Sequence, residues 1–199
     1  PYIIESSKKL LTMMGIPYIE AYGEGEAQAA YLVENGDAWA VASQDYDCLL
    51  FGAKRVVRNL AINSNLGDLE YYNLKRVLDE LDINREQLID MGILIGTDFS
   101  EGLKGVGAKT ALKLAKKGEL ENKLAKLQEE SSHDISEVRE IFLNHNVNTN
   151  YKIRWKKPAK NDIIDFLCEE HGFSQDRVSK ACDKLKNLNS SQKSLEDWF

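Results

Sequence analysis

Five acidic residues, Glu24, Glu26, Asp45, Asp47 and Asp98, are spaced so that a fold could gather them around metal ions. Glu24 and Glu26 lie in Gly23-Glu24-Gly25-Glu26-Ala27, at the start of a predicted helix. Asp45 and Asp47 follow the apolar run Ala38 to Ser43, which reads as a buried strand. Asp98 stands in Gly96-Thr97-Asp98, just past the apolar segment Met91 to Ile95. Carboxylates packed together repel one another, so such a set requires a cation of charge two or more. Oxygen donors suit Mg²⁺ or Mn²⁺, and two such ions side by side suit phosphate chemistry. The plainer alternative is local: Glu24 and Glu26 complement a helix dipole, and Asp45 and Asp47 form a turn. Position favours chemistry, because α/β folds place their sites at the ends of parallel strands. A phosphatase in which Asp45 is the nucleophile is a further reading of the Asp-x-Asp pair. It leaves the features below unexplained.

The second signal is the bend Gly102-Leu103-Lys104-Gly105-Val106-Gly107-Ala108-Lys109-Thr110. It is not a Walker A loop, because Ala108 separates Gly107 from Lys109 and no clear strand precedes it. A helix–hairpin–helix element fits better. Glycines let the backbone approach DNA, N–H groups meet phosphate oxygens, and lysines add charge. The candidate DNA contacts are Lys104, Gly105, Gly107, Lys109, Thr110 and Lys113. An ordinary glycine-rich helix connection with a solvated lysine face is the alternative. The third signal is the tail, where Leu195, Trp198 and Phe199 share one side of a helical turn in an otherwise polar terminus. Either a partner covers these aromatics or the tail folds back on its own domain. His133, His145 and His171 show no ligand spacing, and Trp39 and Trp155 read as packing residues.

The elements that must position these groups alternate before residue 60 and turn helical after 73. Helices are predicted over Glu5–Met14 and Gly23–Gly36, and strands over Ile16–Ile19, Trp39–Ala42 and Arg55–Leu60. Asn73 and Asn84 are N-caps of two further helices. Helices then follow at Lys109–Lys117, Leu120–Leu127, Ser136–Asn144, Asp162–His171 and Gln175–Leu188, with an extended piece at Ile153–Trp155. That pattern gives an α/β domain with helical elaboration. Across 199 residues the net charge is −6, but Leu103 to Gly118 holds five lysines and no acid, and Tyr151 to Lys160 five basic residues and no acid. Local basic patches on an acidic background fit a protein that grips a polyanion at defined places. Three scattered cysteines without CxxC spacing argue against a zinc site or disulfide framework and point to a reducing compartment. No apolar run reaches membrane-spanning length.

In these motifs the chain resembles the flap endonuclease family, structure-specific 5′ nucleases of replication and repair. The resemblance runs through Met14-Gly15-Ile16-Pro17-Tyr18, Gly23 to Ala27, Asp45-Tyr46-Asp47, Gly96-Thr97-Asp98 and Gly105-Val106-Gly107-Ala108-Lys109-Thr110-Ala111. Its short form is similar to archaeal members. The resemblance implies an α/β fold: a mixed, largely parallel sheet flanked by helices, a 5′ nuclease (PIN-like) core that is here incomplete. It implies that Glu24, Glu26, Asp45, Asp47 and Asp98 hold two Mg²⁺ ions, for which Mn²⁺ can substitute. Residues 1–118 would be the C-terminal part of the core, with a helix–two-turn–helix at about 88–118 that grips duplex DNA and holds K⁺. Residues 119–188 would be helical elaboration, and 189–199 a flexible tail. In that tail Gln192, Leu195, Trp198 and Phe199 match the box that binds the sliding clamp PCNA. The implied substrate is 5′-flap DNA, cut by endonuclease and 5′–3′ exonuclease action, inside the cell at the cytoplasmic nucleoid. The family's N-terminal half, with two more aspartates and a basic arch, has no counterpart here. The chain is therefore expected to be a C-terminal portion that works with a separate or covalent N-terminal half. As a non-cutting fragment it would bind only DNA and clamp.

Overall fold

The computed structural model describes residues 2–60 and 68–191. In chain order, α1 (Tyr2–Met14), α2 (Gly25–Glu34), β1 (Val41–Ala42), α3 (Asp47–Leu50), β2 (Arg55–Arg58) and β3 (Glu70–Asn73) come first. Then follow α4 (Leu74–Leu81), α5 (Arg85–Ile95), α6 (Ala108–Lys117), α7 (Leu120–Glu130), α8 (Ile135–Leu143), α9 (Lys160–Asp165) and α10 (Gln175–Ser191). A π-helical turn, Phe166–Glu170, continues α9. The chain divides into two compact units, one of residues 21–149 and one of residues 1–20 with 150–199.

The larger unit is α/β, as expected, with a three-stranded sheet in the order β1-β2-β3. β1 pairs parallel with β2, and β2 antiparallel with β3. β2 is the central strand, and its Val56 is fully buried against Ile89, Ile93 and Leu94 of α5 and Cys48 of α3. Helices α6, α7 and α8 close the same core with Ala111, Leu114, Leu124, Leu127, Val138 and Phe142. Both asparagine caps form: the Asn73 side chain accepts from the Arg76 N–H, and Asn84 with Gln87 makes a capping box on α5. Each satisfies backbone donors that the first helical turn leaves open.

The smaller unit packs Leu10, Met13 and Met14 of α1 against Ile163, Val178 and Cys182. Gly15 ends α1 at φ +74, and a Cβ there would collide with the Lys156 carbonyl. Lys156 N–H in turn donates to the Gly15 carbonyl at 2.9 Å. The strand expected at Ile16–Ile19 does not form. The Ile16 N–H turns back to the Leu11 carbonyl at 2.9 Å, and Pro17 has no N–H to give a ladder. The expected strand Trp39–Ala42 is only the pair Val41–Ala42. Among the described residues no helix is long and apolar enough to cross a membrane.

Candidate active site

Three short segments of the larger unit carry the five carboxylates. Glu24 is the exposed N-cap of α2, in extended backbone (φ −68, ψ 134), and its side chain makes no cap hydrogen bond. Glu26 stands in the first turn, half-buried beside Ala27, which is fully packed. After β1 the Asp45 N–H donates to Ser43 Oγ at 3.1 Å, and the Asp47 N–H donates to Asp45 Oδ1 at 3.0 Å. Asp45 thereby turns the chain into α3 through its own side chain. Cys48, Leu49 and Leu50, all buried, anchor that helix.

Asp98 is placed by the end of α5. Gly96 leaves the helix at φ +117, and Thr97 and Ser100 exchange two backbone hydrogen bonds of 2.9 and 3.1 Å. The buried Ser100 hydroxyl donates to the Ile93 carbonyl at 3.1 Å and accepts from the Gly102 N–H at 3.2 Å. Asp98 sits exposed at the tip of this turn. Gly102 has φ +72, and a Cβ there would fall 2.5 Å from the Ile95 carbonyl oxygen. Only glycine fits such an approach at that backbone conformation.

The charges converge on Asp47. Burial, then Asp45, Asp98, Glu26 and Glu24, push its carboxyl up to about 6. Burial is also the main reason that the neighbouring Cys48 thiol is pushed up to about 11, with Glu26 and Asp45 adding to it. Among the described residues, no three acidic, histidine or cysteine side chains lie close enough together to hold a metal ion. Four carboxylates thus raise the Asp47 pKa without any three forming a ready-made ligand group among the described residues. Hard oxygen donors with unrelieved negative charge fit a divalent cation such as Mg²⁺ or Mn²⁺.

A second set of residues surrounds the Asp45–Asp47 loop and carries no signal in the sequence. Arg58, at the end of β2, lies directly across the sheet from Glu70, and its Nη1 donates to Glu70 Oε2 at 2.7 Å. The same guanidinium donates through Nε to the Gln44 carbonyl at 3.1 Å and through Nη1 to the Tyr46 hydroxyl. It also lies over the Tyr46 ring, 3.9 Å from the centroid. Tyr72, on the same face of β3 as Glu70, donates to Glu70 Oε2 at 3.0 Å and lies 3.3 Å, hydroxyl to hydroxyl, from Tyr46. Hydrogen bonding to Tyr46, then burial, then Glu70 push the Tyr72 phenol up to about 12. Only the period-2 spacing of Glu70 and Tyr72 hints at this face, and it does so only once β3 is known to be a strand. Beside Glu24 a cavity of about 540 Å³ opens, lined by Phe51, Phe99, Ile141 and His145 among others.

The glycine bend lies between α5 and α6. Gly105 has φ +86 with open space where a Cβ would go, and Gly107 caps α6 in extended backbone with no side-chain partner. The first N–H groups of α6 are thus free of a side-chain cap. Lys104, Lys109, Thr110 and Lys113 are exposed, and among the described residues none of these lysines is in an ion pair. Gln192, Leu195, Trp198 and Phe199 lie outside the described residues.

The family model for the XPG I-region matches residues 15–98, the stretch that holds all five carboxylates. Flap endonuclease 1 of Methanothermobacter thermautotrophicus is 55% identical over 198 residues, covering 99% of this chain and 60% of that protein. The solved flap endonuclease-1 of Methanococcus jannaschii superposes with a TM-score of 0.86 at 44% identity, over 96% of this chain and 60% of that one. The catalytic core of Rad2 in complex with DNA substrate shares the fold, with a TM-score of 0.76 at 22% identity over 92% of this chain and 68% of that one. The chain spans about three fifths of the length of the flap endonucleases it matches. In sequence over nearly its whole length, and in fold, the chain is homologous to the archaeal flap endonucleases.

Proposed function

We propose that this chain supplies the carboxylate wall and the duplex grip of a Mg²⁺-dependent nuclease that cuts at the junction of a 5′ flap and duplex DNA. One observation carries the reading: four carboxylates from three chain segments act on the half-buried Asp47. Glu24, Glu26, Asp45, Asp47 and Asp98 would hold the ions. When bound, a divalent pair polarises the phosphodiester and lowers the pKa of attacking water. The chain's own residues set the geometry. Asp45 shapes the turn into α3, Cys48 to Leu50 fix its depth, and the Thr97–Ser100 turn presents Asp98. Phosphate oxygens meet the N–H groups of the first turn of α6, Ala108 to Thr110, which have no side-chain cap, while Lys104, Lys109 and Lys113 neutralise charge without reading bases. Backbone oxygens of the same turn would hold K⁺.

The remaining assignments belong to the same proposal. Residues 1–118 carry the nuclease part, 119–188 the helical elaboration and 189–199 the tail, a functional division distinct from the two packing units. Gln192, Leu195, Trp198 and Phe199 would dock on PCNA, and the enzyme would work inside the cell on DNA. The separation of the carboxylates favours a second reading, in which this chain alone grips DNA and clamp without cutting.

The test measures Mn²⁺ binding to the chain by paramagnetic resonance, alongside cleavage of a 5′-flap substrate. Cleavage is assayed with and without the additional N-terminal segment of the Methanothermobacter relative. Mn²⁺ binding that disappears in Asp45→Ala/Asp47→Ala supports the site. Cleavage only with the added segment supports the divided enzyme. Retained cutting by the double variant sinks the assignment.

A further inference from the structure

We propose that Arg58 is a positioning residue for the Asp45–Asp47 pair, an inference that rests on reading those carboxylates as cation ligands. The Asp45–Asp47 loop has internal bonds of its own: Asp45 N–H to Ser43 Oγ at 3.1 Å and Asp47 N–H to Asp45 Oδ1 at 3.0 Å. Those bonds wind the loop, whose start is tied to β2 by the Ser43 N–H on the Val57 carbonyl at 3.2 Å and whose Tyr46 meets Tyr72 of β3. Arg58 adds a tie on each side of Asp45. Its guanidinium holds the residue before Asp45 by the Gln44 carbonyl, 3.1 Å away. It also holds the residue after Asp45 by the Tyr46 ring, 3.9 Å from the centroid, and by the Tyr46 hydroxyl. Asp45 is thus bracketed on both sides by one rigid, planar group.

The guanidinium is itself held. Glu70, its cross-strand partner, accepts at 2.7 Å, and Tyr72 donates to the same carboxylate oxygen at 3.0 Å. The Arg58 side chain is only 18% exposed. Arg58 therefore links β3 to the loop, beside the direct Tyr72–Tyr46 contact. A planar fork that makes several directed bonds at once is a property of arginine and not of lysine, whose ammonium is a point charge. Residues that orient metal-binding carboxylates without touching the ion commonly change its affinity 10- to 100-fold.

The experiment compares Arg58→Lys, Tyr46→Leu and the unmodified chain by Mn²⁺ titration, amide hydrogen exchange and thermal melting. Lysine keeps the ion pair with Glu70 but cannot also hold Gln44 and Tyr46. The expected result is that Arg58→Lys weakens Mn²⁺ binding by ~10-fold or more, as outer-shell substitutions do. Exchange should quicken at residues 44–47 and stay unchanged over Ile89–Leu94. Tyr46→Leu, which removes the loop's side of the clamp and its Tyr72 contact but keeps Arg58 on Glu70, should shift the same two readouts in the same direction. Wild-type Mn²⁺ affinity and unchanged loop exchange in Arg58→Lys overturn the proposal, since a merely structural charge pair would be rescued by lysine. If the unmodified chain binds no Mn²⁺, the cation-site reading falls. Arg58 is then judged on exchange alone, where an unchanged loop overturns the clamp and a quickened one sustains it.

Discussion

Asp47 is held in an unfavourable state by its neighbours. Burial and four like charges lift its carboxyl to about 6, from an ordinary 3.8. Because the folded pKa is the higher one, the folded chain binds the proton more tightly than the unfolded chain. Stability then falls as pH rises from about 4 to about 6. Asp90 has the same sign: burial lifts it to about 6 despite Arg139, whose Nε lies 2.9 Å from Asp90 Oδ1, poorly aligned, and whose Nη2 donates at 3.0 Å. We predict that the melting midpoint of the metal-free chain rises on acidification from pH 7 toward 5.5. Asp47→Asn should flatten that slope and add about 1 kcal/mol at pH 7.5 after solvent screening, a gain of ~2–4 °C read by calorimetry. Arg139→Ala should do the opposite, because it leaves Asp90, 5% exposed, charged and unpaired. A loss of about 3–5 kcal/mol in urea unfolding is expected. The carboxylates are legible as chemistry because the Glu-x-Glu and Asp-x-Asp spacings stand beside helix and strand signals. Arg58, Glu70 and Tyr72 are not, because no spacing rule links residues that meet only across paired strands.

At the scale of elements, glycines decide whether the site is presented correctly. Gly102 and Gly105 both have positive φ, yet only Gly102 is pressed against backbone. Gly105→Ala should cost about 1–2 kcal/mol of conformational strain. Gly102→Ala should cost more, because the Ile95 carbonyl must move, and that shift reaches Asp98 through the end of α5. Chemical denaturation ranks the two, and Mn²⁺ titration shows a weakened site only for Gly102→Ala. The helices are readable from their caps: Asn73 and Asn84 stand before apolar periodicity and both cap in the structure. β3 is not readable, because Glu-Tyr-Tyr-Asn carries no apolar alternation, and its pairing with β2 is what makes it a strand. The segment at Ile16–Ile19 misleads for the opposite reason: its apolar residues suggest a strand, but Pro17 and the Ile16–Leu11 bond deny it a ladder.

Over the whole molecule, charge is divided rather than summed. The net charge of −6 would repel DNA if it were spread evenly. The exposed lysines of the glycine bend concentrate the opposite sign at one end of α6. Replacing Lys104, Lys109 and Lys113 together by alanine should weaken duplex binding alike for all sequences. It should also reduce the slope of log affinity against log salt by about 1 for each phosphate that is no longer neutralised, measured by fluorescence anisotropy.

Residues 1–20 and 150–199 build one unit, and the other lies wholly between them in the chain. During synthesis the ribosome makes every residue of the middle unit before it makes Ile163, Val178 or Cys182 of the flanking one. The core around Ile93 and Phe142 is then complete in sequence while Leu10, Met13 and Met14 still await Ile163, Val178 and Cys182. In the nascent chain the carboxylate-bearing unit has all its residues first, and the apolar side of α1 waits longer for its partners than any face of that unit waits for its own.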